Sequence, residues 1–330
     1  MPALRLTLAC WNYDRTRALA DERVRADGIE LNYLELPVEE TFFRMARHRE
    51  FDVAEMSLST YVLSCFEPNP PFVAIPVFPS RSFRHSCIYV HEASGIREPR
   101  DLIGKRVGCP EYQLTACVWI RGTLADDYGV PVTAVTYVVG GQEEAGRSEK
   151  VQIDLPASVR VERIGAGDTL ASLLAGGEID ALYTPRMPST FRAGNGCVRR
   201  LFEDFPAVER EYFRRTGIFP IMHVVVVRRD VYDAHRWVAQ SLRKAFTAAK
   251  ADAYEQLSET AALKTTLPWL TAHVEEARRE MGDDFWSYGL DRNRHTLATF
   301  LRYSYEQGLA KRLLDPVELF ARETLESFAI

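Results

Sequence analysis

VFPSRSFRHSCIYV, at residues 77–90, joins two apolar runs through a short cationic loop. The first run ends at Pro79, and Arg81, Arg84 and His85 then fall within five residues. We interpret the stretch as a strand, a loop and a second strand, which holds these cations at the ends of rigid elements. Because guanidinium offers a planar fork of donors, the pattern indicates recognition of a small molecule with more than one carboxylate. The alternative interpretation is a solvated surface turn.

Length and composition predict a two-lobed globular protein. The 330 residues exceed one average domain, and 46% hydrophobic with 26% charged residues is ordinary for a globular chain. The formal net charge of -5 argues against a nucleic-acid partner, because nucleic-acid-binding domains are usually basic.

The N-terminus and the cysteines predict a cytoplasmic protein. Residues 1–11 lack the basic start and long apolar segment of a signal peptide. No stretch reaches the about 18 apolar residues that a membrane span needs, so we expect no membrane partner. The six cysteines form no CxxC pair, which favours free thiols in a reducing compartment; they are Cys10, Cys65, Cys87, Cys109, Cys117 and Cys197.

The order of elements predicts an α/β fold with two lobes. Strand patterns alternate with helix patterns as far as Val224–Val227, and helices follow at 237–254, 267–281, 293–307 and 316–328. We expect lobe 1 to contain residues 1–107 and 219–330, with these additional C-terminal helices, and lobe 2 to contain residues 108–218.

Ligands of such folds bind where strand ends and helix N-termini converge, which predicts a cleft between the lobes. The segments expected to line it are Asp14-Arg15, Ser57 to Ser59, Arg81 to His85, Glu111 to Thr115, and Arg186 with His223.

Long strings of the sequence resemble the 4,5-dihydroxyphthalate decarboxylase family, and they extend over essentially the whole chain. They include YDRTRAL at 13–19, EETFFRM at 39–45, FDVAEMSLS at 51–59, PSR at 79–81, FRHS at 83–86, PEYQ at 110–113, GIFPIMH at 217–223, MGDDFW at 281–286 and YEQGL at 305–309.

The resemblance implies a type II periplasmic-binding-protein-like fold, two α/β lobes around an interlobe cleft. It also implies non-oxidative decarboxylation of 4,5-dihydroxyphthalate to 3,4-dihydroxybenzoate (protocatechuate) in phthalate degradation, a small aromatic dicarboxylate as substrate, and no cofactor. Two other hypotheses stay open: a non-catalytic solute-binding protein, and a paralogue that decarboxylates another hydroxylated aromatic acid.

The implied reaction needs a proton donor for a ring carbon and a base for a hydroxyl. Histidine suits both tasks near neutral pH. His223 is the first candidate because it begins a strand after Pro220-Ile221-Met222. His85 and Glu111 are the others, and the sequence does not assign acid and base among the three. Their structural alternatives are a packed core histidine and a helix-start acid.

Carboxylate anchoring is predicted mainly at Arg81 and Arg84, then at Arg15 and Arg186. Backbone N–H groups at a helix N-terminus and small hydroxyls are further candidates for binding an anion, although N-capping explains the serines almost as well; these residues are Tyr112, Gln113, Thr115, Ser57 and Ser59.

Other patterns are given structural interpretations. Asp283-Asp284 fits an exposed acidic turn better than a metal site, so we predict none. Phe285, Trp286 and Tyr288 either pack the C-terminal helices on the first lobe or seal a subunit contact, and we expect a homo-oligomer.

Overall fold

The computed structural model describes residues 3–147, 149–194 and 196–325. Their contacts divide the chain into two compact units. The first unit contains the described residues up to Arg81, Ile221–Leu297, and those from Asp315 onward. The second contains Ser82–Pro220 and Ala298–Leu314. The chain therefore leaves the first unit after residue 81, not after the expected residue 107, and residues 298–314 also belong to the second unit.

The sheet of the first unit has five strands in the order β2-β1-β3-β11-β4. Its β1 pairs in parallel with β2 and β3, whereas β11 pairs antiparallel with β3 and β4. The four consecutive valines of β11 are buried, as expected for β-branched residues in a strand covered on both faces. The bounds are β1 Leu4–Cys10, β2 Ile29–Glu35, β3 Val53–Ser57, β4 Phe72–Ile75 and β11 His223–Arg228.

Helices complete the first unit. Alanine and leucine residues of α1 and α9 share one buried cluster with valines and leucines from β1, β3 and β11. This cluster covers one face of the sheet and holds the strand ends in place. The bounds are α1 Asp14–Ala20, α2 Val38–His48, α3 Leu58–Ser64, α8 Arg229–Ala234, α9 Trp237–Leu257 and α10 Leu270–Met281.

The second unit has a six-stranded sheet in the order β10-β5-β9-β6-β7-β8. Its β6, β7, β8 and β9 form parallel pairs, while β5 is antiparallel to β9 and β10. The pairing of β5 within this sheet explains why the chain divides before residue 107. The bounds are β5 Ile88–His91, β6 Arg106–Cys109, β7 Thr136–Val139, β8 Arg160–Arg163, β9 Ala181–Tyr183 and β10 Val198–Arg200.

In the second unit, Tyr303 of the last helix packs closely on α4. Gly122 in α4 lies under the ring of Tyr303, where an added Cβ would come within 2.1 Å of the ring. This glycine is required by close approach rather than by backbone conformation. The bounds are α4 Thr115–Tyr128, α5 Leu170–Ala175, α6 Ser189–Arg192, α7 Phe205–Thr216 and α11 Arg294–Glu306, which begins in the first unit.

The C-terminal segment differs from the predicted helix at 316–328. It contains two short 3-10 turns, Pro316–Leu319 and Arg322–Thr324, and residues 326–328 lie outside the described residues. Asp315 caps the first turn through the N–H of Val317, and Phe320 forms a β-bridge with Ala74. Extended pairing to the sheet therefore replaces continued helix.

No helix in the described part of the chain has the length and hydropathy to cross a membrane. All six cysteines are free thiols.

Candidate functional site

The predicted site residues fall into two groups, one in each unit. In the first unit, the centre of the group is an ion pair between β3 and β11. His223 lies opposite Ser57 in the antiparallel register, and Val225 lies opposite Glu55. Alternate residues of a strand share a face, so His223 is a diagonal neighbour of Glu55. Nδ1 of His223 is 2.5 Å from Oε1 of Glu55.

Glu55 is fully buried, and four donors surround its carboxylate. The hydroxyl of Tyr13 donates to Oε1 at 2.6 Å, and the N–H of Trp11 and the thiol of Cys10 donate to Oε2 at 3.1 and 3.6 Å. Burial by itself raises the pKa of Glu55. The charge and hydrogen bond of His223, together with the other donors, more than offset burial and hold that pKa below its usual value. Glu55 is therefore an anion at neutral pH.

The side chain of His223 stays partly accessible. Its side chain is 16% exposed, and the ring of Phe42 packs against it at 4.7 Å in an edge-to-face arrangement. Because ionised Glu55 accepts a proton donor at Nδ1, Nε2 is the nitrogen that remains for a ligand. The imidazole can give or take a proton there.

Arg15 lies beside this pair. Its guanidinium is 4.1 Å from the centroids of both the Tyr13 and Trp286 rings. Nε donates to the carbonyl of Pro79 at 2.6 Å, and Nη1 pairs with exposed Asp14 at 3.0 Å. Stacking between two rings fixes the orientation of the cation. The arrangement presents a positive charge next to the Glu55–His223 pair, as anchoring of a carboxylate requires.

Arg81 makes hydrogen bonds within the first unit. Nη2 donates to the carbonyl of Ser287 at 2.7 Å and to the side chain of Asn293. Burial lowers the pKa of Arg81 to about 10, so it stays cationic at neutral pH. The guanidinium ties the segment 287–293 to the start of the cationic loop. Within this unit, these contacts give Arg81 a structural role, and its role as a carboxylate anchor stays a prediction.

Ser57 and Ser59 are both buried. The hydroxyl of Ser57 accepts the N–H of Thr60 at 3.5 Å and caps α3, and Ser59 lies in the first turn of that helix. This contact is the N-capping role predicted from the sequence as the alternative to anion binding by Ser57.

In the second unit, Glu111 is the centre of a buried ion-pair cluster. Its carboxylate accepts from Nζ of Lys150, from Nη2 of Arg147 at 2.5 Å and from Nε2 of Gln113 at 2.8 Å. Glu111 and Lys150 are 1% and 5% exposed at their side chains. The cluster fastens residues 147–150 to the turn before α4. Both oxygens of this carboxylate are therefore engaged by side chains of the protein.

In the turn before α4, one backbone N–H is occupied by a side chain of the protein. The N–H of Tyr112 donates to Oε1 of Glu149 at 2.5 Å. The Tyr112 ring lies under the buried guanidinium of Arg121 at 3.9 Å, and its hydroxyl donates to the carbonyl of Gln307. Thr115 is the first residue of α4 and is buried. Of the N–H groups predicted to bind an anion, that of Tyr112 already has a carboxylate partner.

His85 and Arg84 are adjacent in the second unit. The His85 ring is surrounded by Tyr128, Phe202 and Tyr212 at 5.2–6.4 Å. Burial lowers its pKa to about 4, so the ring is neutral at pH 7. Nη1 of Arg84 is 3.6 Å from the sulfur of Cys87. A neutral imidazole among aromatic rings is a poor proton donor.

Arg186 is exposed after β9. Its backbone N–H donates to the hydroxyl of Thr184, and its carbonyl accepts from Gln142. In the part of the chain that the structure describes, no group of three His, Cys, Asp or Glu side chains has an arrangement that could hold a metal ion.

Sequence reasoning missed the partners of the predicted residues. Glu55 is the one acid in a five-residue strand that is buried throughout, and that pattern was the available signal. Glu149 and Lys150 lie in a polar segment that carries no such signal. The late aromatics pack inside the first unit: Trp286 donates to the carbonyl of Phe78, and Phe285 contacts Tyr254.

Comparison with solved structures identifies the class of fold. The alkanesulfonate-binding protein SsuA from Xanthomonas axonopodis pv. citri, bound to MOPS, is 12% identical, with a TM-score of 0.52 over 97% of this chain and 99% of that one. A putative periplasmic sulfonate-binding SsuA from Methylobacillus flagellatus is also 12% identical, with a TM-score of 0.54 over 98% and 94%. The protein thus has the α/β, two-lobed type II periplasmic-binding-protein-like fold.

Sequence relatives give the family. No family model matches the chain. A 4,5-dihydroxyphthalate decarboxylase from Comamonas testosteroni is 44% identical over 330 residues, which is 100% of both chains. Another from Pseudomonas putida is 44% identical over 214 residues, covering 65% of this chain and 83% of the relative. The chain belongs to the 4,5-dihydroxyphthalate decarboxylase family.

Proposed function

We propose that the protein decarboxylates 4,5-dihydroxyphthalate to 3,4-dihydroxybenzoate and CO2 without oxidation. The observation that carries this proposal is the 44% identity to the Comamonas relative over all 330 residues. The Glu55–His223 pair supports it from the geometry, because it provides an oriented imidazole with an accessible edge.

The chemistry explains why an oriented acid is needed. Direct loss of CO2 from an aromatic ring would leave an unstable aryl carbanion. Protonating the ring carbon that carries the carboxylate avoids this species, and the hydroxyl para to that carbon supplies electron density. The bond to CO2 then breaks, and its electron pair restores the aromatic ring. One proton is consumed in each turnover.

His223 is proposed as the donor of that proton, from Nε2. Its exposed edge gives access both to a substrate and to the solvent that would restore the proton. His85 is less suitable because its low pKa leaves it neutral at pH 7, and Glu111 is engaged by two cations. A positioned acid contributes about 10²–10⁴-fold to a rate.

Arg15 is proposed as the carboxylate anchor next to His223. It is held between two rings, and its partner Asp14 is 58% exposed at the side chain and so is weakly bound. A substrate carboxylate would replace a solvated contact with a charge-assisted one. Arg84 and Arg186 remain candidates for the second carboxylate.

The test is incubation of the purified protein with 4,5-dihydroxyphthalate, followed by measurement of CO2 and 3,4-dihydroxybenzoate. Turnover to both products is expected. Tight binding without turnover would support the solute-binding alternative, which the fold also allows. Turnover of another hydroxylated aromatic acid in a substrate panel, but not of 4,5-dihydroxyphthalate, would indicate a paralogue.

We also propose that the enzyme works in the cytoplasm as a homo-oligomer, in a pathway of phthalate degradation. The six free thiols support the location, since a reducing compartment keeps them free. Cell fractionation and light scattering test location and assembly respectively.

A further inference from the structure

We infer that Glu55 is a positioning residue that fixes the proton of His223 at Nδ1 and keeps Nε2 as the proton-donating atom. The inference rests on the proposed function and deepens it. Nothing in the sequence patterns assigned a role to Glu55, which lies 168 residues from its partner.

Glu55 is poorly suited to exchange protons with a substrate itself. It has 0% exposure, and its two oxygens already accept from His223, Tyr13, Trp11 and Cys10. A carboxylate with this many donors is stabilised in its ionised form. Its remaining effect on chemistry is exerted through the imidazole that it holds.

The surrounding groups make Glu55 the negative partner of His223. Tyr13, Cys10 and Tyr33 keep their protons, since burial raises the pKa of each. Arg15 stacks on the Tyr13 ring, and Phe42 and Ser57 are uncharged. An anion 2.5 Å from Nδ1 therefore holds a proton on that nitrogen and leaves Nε2 to exchange a proton with a ligand.

The experiment compares Glu55→Gln with wild type. The amide keeps the shape but removes the charge, so kcat is expected to fall by about 10²–10⁴-fold, as a disturbed carboxylate–histidine pair does elsewhere, while KM changes by less than about threefold. Glu55→Asp retains the charged acceptor for Nδ1, so its kcat should lie closer to wild type than that of Glu55→Gln.

Asp52→Asn is the matched control. Asp52 immediately precedes β3, accepts the N–H of Thr7 at 2.8 Å and pairs with Arg228 at 3.3 Å, away from the imidazole. This variant should keep the wild-type kcat and KM. A Glu55→Gln enzyme with wild-type kcat would overturn the inference.

Histidine NMR of the wild-type protein gives a readout that needs neither turnover nor a variant. Neutral His223 is expected as the Nδ1–H tautomer, and an Nε2–H tautomer would refute the role of Glu55 even if Glu55→Gln does not fold. If wild type fails to convert 4,5-dihydroxyphthalate, the proposed function fails, whereas the tautomer still decides the inference about Glu55.

Discussion

Glu55 in the first unit and Glu111 in the second are both buried carboxylates, and their partners differ. Glu55 is held by the imidazole of His223, whose second nitrogen, Nε2, does not contact the carboxylate. Glu111 is held by the ammonium group of Lys150 and the guanidinium of Arg147. Both pairs satisfy the requirement that a buried charge be compensated. The two pairs differ in whether the partner side chain can pass a proton to a ligand.

This difference separates a site that can react from an ion-pair cluster whose role is structural. The Glu55–His223 pair leaves one edge of the ring accessible, so a proton can pass to a ligand. The Glu111 cluster instead joins residues 147–150 to the turn before α4 and has its charge balanced internally. Burial of an acid alone therefore does not identify a catalytic centre, and the partner must be examined.

Removing the titratable partner should have the largest effect on activity. His223→Ala is expected to lower kcat for 4,5-dihydroxyphthalate by about 10²–10⁴-fold, because the proton donor is lost, with a much smaller change in KM. Steady-state kinetics measure both constants. His273→Ala, at an exposed position of α10, is the control and should behave as wild type. Near-normal turnover by the His223 variant would show that another residue donates the proton.

Disrupting the ion-pair cluster around Glu111 should have the largest effect on stability. Glu111→Gln leaves Lys150 buried without its charge partner, so the free energy of unfolding should fall by about 3–5 kcal/mol. Urea denaturation at neutral pH measures the change. Glu40→Gln removes an exposed ion pair with Arg44 and should cost about 0–1 kcal/mol. Equal losses from the two variants would contradict a structural role for the Glu111 cluster.

A smaller, pH-dependent effect is expected at Glu149. Burial and then the charge of Glu111 raise its pKa to about 7. The folded chain therefore holds this proton more tightly than the unfolded chain, whose carboxyl has a pKa of about 4.3. The resulting stability is complete below pH 4 and is lost as the pH rises through 7.

Glu149→Gln removes this titration. Relative to wild type, the variant should gain about 1–3 kcal/mol in unfolding free energy between pH 5 and pH 8. Urea denaturation at both values measures the gain, and Glu144→Gln, an exposed neighbour, should show none. A loss of unfolding free energy relative to wild type over this pH range would mean instead that folding stabilises the anion of Glu149.

The predicted elements were largely recovered because their signals are local. Alternation at Leu4–Cys10 and the valine run at His223–Arg228 each give a strand within a few residues of the expected bounds. The strand β10 and the helix α6 were missed, because they are three and four residues long. The C-terminal helix was overpredicted where Phe320 pairs with Ala74.

The sequence by itself determined the α/β class, the family through long matching strings, and His223 as a histidine at the start of a strand. Tertiary structure decided the partners: Glu55 for His223, Ser287 and Asn293 for Arg81, and Lys150 for Glu111. The physical reason is the distance along the sequence over which each effect acts. Periodicity and capping act over a few residues, whereas desolvation and ion pairing depend on strand register and on contacts between distant segments. An arginine-rich loop therefore looks the same in sequence whether its cations face a ligand or the interior of the unit.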